Sequence, residues 1–236
     1  MIKYPKMECL FERGDDKKLT NKFANDYFRM LQNAEWIANE KIDGTNVRID
    51  THGNYKGRTD NAKFTDTQKE ALQKVAHIIN VAHHMHQEPV KIFSEFPYNY
   101  PDLIYFGELC GPKIQKDGHL YGDEQRFVLF DVWTGARWLE QSQVRLMADQ
   151  LGLLYAPSCD EDLNISDWIY YLAHPIQNNI DLITRLPGAH GREIEGLVLR
   201  PKKELTTAQG KRIIAKLRYV DIEALRADGL SVSSVK

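Results

Sequence analysis

Apolar residues recur along the chain with two periods, and the change from one to the other marks out the elements. Between about residues 18 and 33, Phe23, Tyr27, Met30 and Leu31 fall at helical spacing and predict a helix ending near Asn33. The period then shortens to two. Strands are predicted over 35–42, 46–51 and 55–59, the last two joined through His52-Gly53-Asn54 as a hairpin turn. From about 65 to 85, Leu72, Val75, Ile78, Ile79, Ala82 and Met85 give a long amphipathic helix whose polar flank carries His83, His84 and His86. Strands resume over 104–110 and 127–133. A helix over about 136–151 turns Trp138, Val144, Met147 and Leu151 inward. A shorter one over about 166–173, with Trp168, Ile169 and Leu172 as core residues, is stopped by His174-Pro175, because proline cannot continue a helix. Two last strands, over 193–199 and 212–217, precede a tail. This succession predicts a single α+β domain over residues 1–220, antiparallel sheets flanked by helices, and a short C-terminal tail over 221–236.

Composition narrows the picture. The 236 residues, 42% apolar and 27% charged, are those of an ordinary globular protein large enough to bury a sizeable core. No run of about 18 apolar residues and no signal-peptide apolar region is present, so a cytoplasmic location and no membrane association are expected. Cys9, Cys110 and Cys159 are widely spaced, which argues against a disulfide framework or a zinc knuckle. The histidine cluster lacks a second pair of ligands and reads as a solvated helix end. A net charge of -2 argues against a globally basic nucleic-acid coat. Cations nevertheless gather late in the chain, at Arg185, Arg192, Arg200, Lys202, Lys203, Lys211, Arg212, Lys216 and Arg218. Lys202, Lys203 and Arg212 also fit a merely solvated strand pair.

Five strand-borne patches carry polar groups into apolar surroundings: Lys41-Ile42-Asp43-Gly44; Gly57-Arg58-Thr59; Phe106-Gly107-Glu108-Leu109 with 127–131; Glu195-Gly196-Leu197-Val198-Leu199-Arg200; and Ile214-Ala215-Lys216-Leu217-Arg218. Burying an unpaired charge is costly, so these groups should converge on a shared ligand or on each other. A lysine, several carboxylates and two cations on alternate strand positions suit nucleotidyl transfer: an amine to attack phosphorus, a divalent-metal site, and positive charge for the phosphate.

The ordered set, opening with K-x-D-G at Lys41, resembles the covalent nucleotidyltransferase superfamily of ATP-dependent ligases and capping enzymes. Within it, 35–41, 106–112 and 127–132 most resemble the RNA ligases typified by the second RNA ligase of bacteriophage T4. The likeness spans roughly residues 30–220. It implies an adenylyltransferase domain of the ATP-grasp-like DNA and RNA ligase type, using ATP with Mg2+ or Mn2+. Lys41 would attack the α-phosphate to give lysyl-AMP. AMP would then pass to the 5'-phosphate of an RNA end, nicked duplexes included, and a 3'-hydroxyl would displace it. A lysine attacks only when neutral and ordinarily titrates near about 10.4, so Lys216 and Arg218 would favour the neutral form while holding the α-phosphate. The resemblance further implies Glu195 as metal ligand, Glu108 as ribose contact and Phe127 as the ring stacked on adenine. It places Glu40 beside the adenine, counts Ile42 with it among the nucleotide-binding positions, gives Asp43 and Asn46 to phosphates or outer metal ligation, and gives Arg58 to the ribose or 3' end. Plainer readings stand beside these: core for Phe127, a hairpin charge for Arg58, and a buried ion pair with Lys216 or Arg200 for Glu108.

Two departures stand out. The last motif of such enzymes carries two lysines on alternate positions, and here the second is Arg218. Residues 219–236 are also too few for the OB-fold of DNA ligases and capping enzymes, or for the helical module of the T4-like ligase, which leaves open how the polynucleotide is clamped and whether a partner protein supplies the clamp. The resemblance also suggests a viral or repair setting. A minimal DNA ligase, a guanylyltransferase using GTP, and a non-catalytic module binding nucleotide or RNA ends are the other readings.

Overall fold

The computed structural model describes residues 1–84, 103–159, 161–174, 186–188 and 194–229. In chain order its elements are β1 (Glu8–Cys9), β2 (Phe11–Arg13), β3 (Leu19–Phe23), α1 (Asp26–Met30), β4 (Trp36–Glu40), β5 (Thr45–Asp50), β6 (Tyr55–Gly57), α2 (Asp66–His84), β7 (Ile104–Cys110), a 3-10 turn (Gly118–Tyr121), β8 (Arg126–Trp133), α3 (Gln141–Leu151), β9 (Leu154–Tyr155), β10 (Ser158–Cys159), α4 (Ile165–Ala173), β11 (Gly196–Pro201), β12 (Ala215–Arg218) and α5 (Tyr219–Ala227). The expected α+β class holds, with mainly antiparallel sheets and helices against them. The chain packs as two compact units rather than around one core. One comprises Met1–Tyr4, Asp43–Ala156 and Leu186–Arg192, the other Pro5–Ile42, Pro157–Arg185 and Glu193–Lys236, as far as these are described.

In the unit that contains β4, the sheet order is β1-β12-β11-β4-β10, antiparallel except for β1 beside β12. Residues paired across a ladder project from the same face. Trp36, Ala38, Leu197, Leu199, Ala215 and Leu217 line one face and pack on Phe28 of α1, Trp168 and Leu172 of α4, and Ile222 and Leu225 of α5. The indole N–H of Trp168 donates to the Trp36 carbonyl at 2.8 Å, pinning α4 to the sheet. The other face carries Ile37, Asn39, Val198, Arg200, Lys216 and Arg218.

In the other unit the order is β6-β5-β7-β8-β9. Its core face, with Val47, Ile49, Tyr105, Leu109, Phe127 and Leu129, is covered by Leu72, Ala76 and Ile79 of α2 and by Val144, Met147 and Ala148 of α3. The opposite face carries Asn46, Arg48, Phe106, Glu108 and Val128. Tyr4 packs on Phe106 and Phe130 and donates its hydroxyl to Asp131 at 2.6 Å.

Several expectations are corrected. Residues 18–33 are not one helix: Leu19 and Phe23 end strand β3, paired with Arg13 and Phe11 of β2, and only five residues of α1 follow. A four-residue spacing suits a helix face and also an even step along a strand, and pairing with β2 decides between them. The helix expected from 136 starts at Gln141, because Gly135 at φ +88° and the Thr134 hydroxyl, accepting from the Arg137 amide at 3.1 Å, shape a turn first. The strand over 55–59 ends at Gly57, the one over 193–199 runs from 196 to 201, and the one over 212–217 starts at Ala215. Arg212 is buried against Glu204 rather than solvated. Residues 219–227, read largely as tail, form α5, which buries Ile222 and Leu225. Arg185, Arg192, Glu193, His86 and Pro175 lie outside the described residues. The three cysteines form no disulfide, as expected.

Candidate active site

In the β4 unit, the chain leaves β4 at Glu40 and the Lys41 amide donates to the Gly196 carbonyl at 2.9 Å, laying the lysine beside the start of β11. Gly196 is required there, since a Cβ would overlap the Leu217 carbonyl and the Arg218 backbone on β12. Glu195 precedes it, and its carbonyl accepts from the Tyr219 amide at 2.9 Å. These backbone contacts bring the side chains together: Lys41 Nζ donates to Glu195 Oε2 at 2.6 Å, with 23% and 27% of the two side chains exposed. Lys216 and Arg218 share the face opposite the core, both partly exposed, as their alternation predicted. Arg218 is gripped by Asp221, Nε to Oδ2 at 3.0 Å and Nη2 to Oδ1 at 2.7 Å. That hydrogen-bonded carboxylate holds the guanidinium above its ordinary pKa despite partial burial.

Two of the candidate nucleotide positions in this unit are buried. Glu40 is 2% exposed and stands in register with core residue Leu197, while Asn39 lies on the face of Lys216. Ile42 is buried as well. Asn39 was missed, although a lone amide inside the apolar run of 36–40 is a readable signal.

In the other unit, the backbone after the lysine motif is held at two points. The Asp43 amide donates to the Tyr121 hydroxyl at 2.7 Å, and Gln115 Nε2 donates to the Gly44 carbonyl at 2.9 Å. A Cβ on Gly44 would overlap the Leu109 carbonyl, so β5 can pass β7 this closely only with glycine there. Tyr121 is buried, and its own carbonyl accepts from Arg126, which also donates to the Pro187 carbonyl at 2.6 Å. Asn46 and Glu108 pair across β5 and β7 and are both partly exposed. Arg58 is exposed just past β6.

Phe127 is a correction. It pairs with Leu109, is 3% exposed, and lays its ring where a Cβ of Gly107 would be, on the helix-covered face. Glu108 pairs with Val128 on the opposite face, so Phe127 and Glu108 cannot hold one nucleoside, and Phe127 is core.

The histidines behave differently from a solvated end. His83 shares a hydrogen bond with the Tyr105 hydroxyl at 2.7 Å, and His52 stacks on His84 with ring centroids 4.9 Å apart. Burial first, then repulsion from His84 and His52, lowers His83 to about 4. Among the described residues no three His, Cys, Asp or Glu side chains gather into a metal-holding group.

The RNA ligase family matches residues 34–218, a span that takes in Lys41, Glu195, Lys216 and Arg218. The chain belongs to that family. Solved structures of Naegleria gruberi RNA ligase share this family member's fold. A ligand-free variant aligns with TM-score 0.55 and 15% identity over 95% of this chain and 59% of its own. A variant with ATP and manganese gives 0.56 and 16% over 92% and 56%, and a structure with pyrophosphate gives 0.52 and 17% over 95% and 61%. The RNA ligase family chain described here thus spans about three fifths of the length of these relatives. No curated protein matches it.

Proposed function

We propose that this chain is an ATP-dependent RNA ligase that works through an adenylated Lys41. The observation that carries the reading is the Lys41–Glu195 pair at the mouth of a strand ladder whose next members are Lys216 and Arg218. A buried structural ion pair needs no further cations beside it, whereas a phosphate does.

Lys41 Nζ attacks the α-phosphorus of ATP, one N–P bond forms, and the bond to the pyrophosphate oxygen breaks. The amine must be neutral to do this, and Lys216 and Arg218 hold the phosphate oxygens. Glu195 keeps the lysine head group in place. A single carboxylate fits a magnesium or manganese ion that takes its other ligands from phosphate and water, so Glu195 would hold one. Such an ion, when bound, supplies positive charge to the phosphates. AMP then passes to the 5'-phosphate of an RNA end and is displaced by a 3'-hydroxyl.

Asn39 shares the face of Lys216 and is a further polar group for the nucleotide, and Glu40 is assigned beside the adenine. Asp43 and Asn46 are assigned to phosphate orientation, Glu108 to the ribose and Arg58 to the RNA end. The polynucleotide is RNA with 5'-phosphate and 3'-hydroxyl ends, nicked duplexes included. The compartment is the cytoplasm. No helix among the described residues is long and apolar enough to cross a membrane.

The test is incubation with ATP or GTP labelled at the α-phosphate, with magnesium or manganese, followed by denaturing electrophoresis. Label from ATP on the wild type and none on Lys41→Ala is expected. Persistent label on Lys41→Ala would remove Lys41 as nucleophile, and label from GTP alone would make the protein a guanylyltransferase.

A further inference from the structure

Arg218 occupies the position at which a second lysine was expected, and its surroundings explain what an arginine does there. The carboxylate of Asp221, 4% exposed, meets the guanidinium side-on and takes one N–H from Nε and one from Nη2. A guanidinium has five N–H donors in one plane, so three remain, two on Nη1 and one on Nη2, and one from each of these nitrogens lie parallel on the adjoining edge. With 30% of its side chain exposed, Arg218 has room for a ligand on that edge. Asp221 is itself anchored. As the third residue of α5 its Oδ2 accepts from the Arg218 amide at 3.3 Å, and Arg13 of β2 approaches its Oδ1 at 3.8 Å. Arg218 also feels the charge of Glu195, the partner of Lys41.

We infer that Asp221 is a positioning residue that fixes Arg218 as a planar fork for the phosphate of the nucleotide, an inference that rests on the adenylation reading above. A phosphate accepts two parallel N–H bonds from such an edge, and holding the fork in advance leaves less side-chain freedom to lose on binding. A lysine in the same place would direct its single ammonium to Asp221 and present no second edge. The plain alternative is that Asp221 only joins the end of β12 to the start of α5.

The two are separated by a double-mutant cycle on the full chain. Lysyl-AMP formation is timed over a range of ATP concentrations for wild type, Asp221→Asn, Arg218→Ala and the double variant, and each is melted thermally. Asp221→Asn is expected to raise the KM for ATP and lower kcat/KM about tenfold, Arg218→Ala to lower it about a hundredfold, and the double variant to match Arg218→Ala. Equal further loss from Asp221→Asn in the Arg218→Ala background, or no loss in either, would overturn the inference. Arg218→Lys leaves the Asp221 side chain in place and gives an independent reading: a loss close to that of Arg218→Ala is expected, and full activity would overturn the fork even if Asp221→Asn failed to fold. A wild type that takes no label from ATP would instead remove the adenylation reading, and the inference with it.

Discussion

The Tyr121 hydroxyl accepts from a backbone amide two residues past the lysine, and so acts on a loop rather than on a ligand. Tyr121→Phe keeps the ring and leaves the Asp43 amide without that acceptor. It should cost about 1–2 kcal/mol in a denaturant titration and slow lysyl-AMP formation, while Gln115→Ala, which acts on the next carbonyl, slows it less. Unchanged rates in both would mean that the loop holds its shape without them. These two residues were illegible in the sequence, because they act through main-chain atoms 78 and 71 positions away. Lys41, Glu195 and Lys216 are singled out by sequence because nucleotidyl transfer demands their residue types, and the structure puts the first two in contact. Phe127 was misread for a geometric reason: its face depends on a register in which a one-residue slip exchanges the two sides of a strand.

Among the elements, the long periodic ones were readable and the short ones were not. Helix α2 was expected over about 65–85 and runs Asp66–His84, and β7 has the expected limits. Strands β1, β2, β9 and β10 have two or three residues each, too few for a period to show, and exist because a neighbouring strand offers a ladder. Helix α5 escaped notice for a related reason: it buries only Asp221, Ile222 and Leu225 of its nine residues. Those contacts still matter. Ile222→Ala should destabilise the β4 unit by about 2–5 kcal/mol, seen as a lower denaturation midpoint. Gly196→Ala should do comparable harm by pushing β11 off β12, with loss of labelling at Lys41; a variant as stable and active as wild type would show that the two strands can move apart.

For the molecule as a whole, acid should be destabilising. His83 is held neutral down to about 4, below an ordinary histidine, so the unfolded chain binds a proton first as pH falls. Its contribution is fully present above about 6.5 and is lost progressively toward 4. Glu8 adds to this at lower pH. Burial raises its carboxyl, but Lys211, Tyr27 and Asn25 outweigh that and hold it below its ordinary value, so its contribution disappears as pH falls through the carboxylate range. Urea midpoints between pH 7.5 and 4.5 should therefore decline, and decline less in His83→Gln. An equal decline in that variant would place the sensitivity elsewhere.

The strand order β1-β12-β11-β4-β10 also sets a timetable for synthesis. Strand β4 leaves the ribosome early, but its neighbours β10 and β11 follow only after all of β5 to β9, and β12 comes later still. The nearly continuous stretch 43–156 can assemble while β4 waits without a ladder. Lys41 therefore waits on an unpaired segment until residues 195–218 have emerged, and only then acquires Glu195 and the cations of β12. Nascent chains halted before residue 215 should take no label from ATP, so that on the proposed reading Lys41 becomes reactive only through strands made long after it.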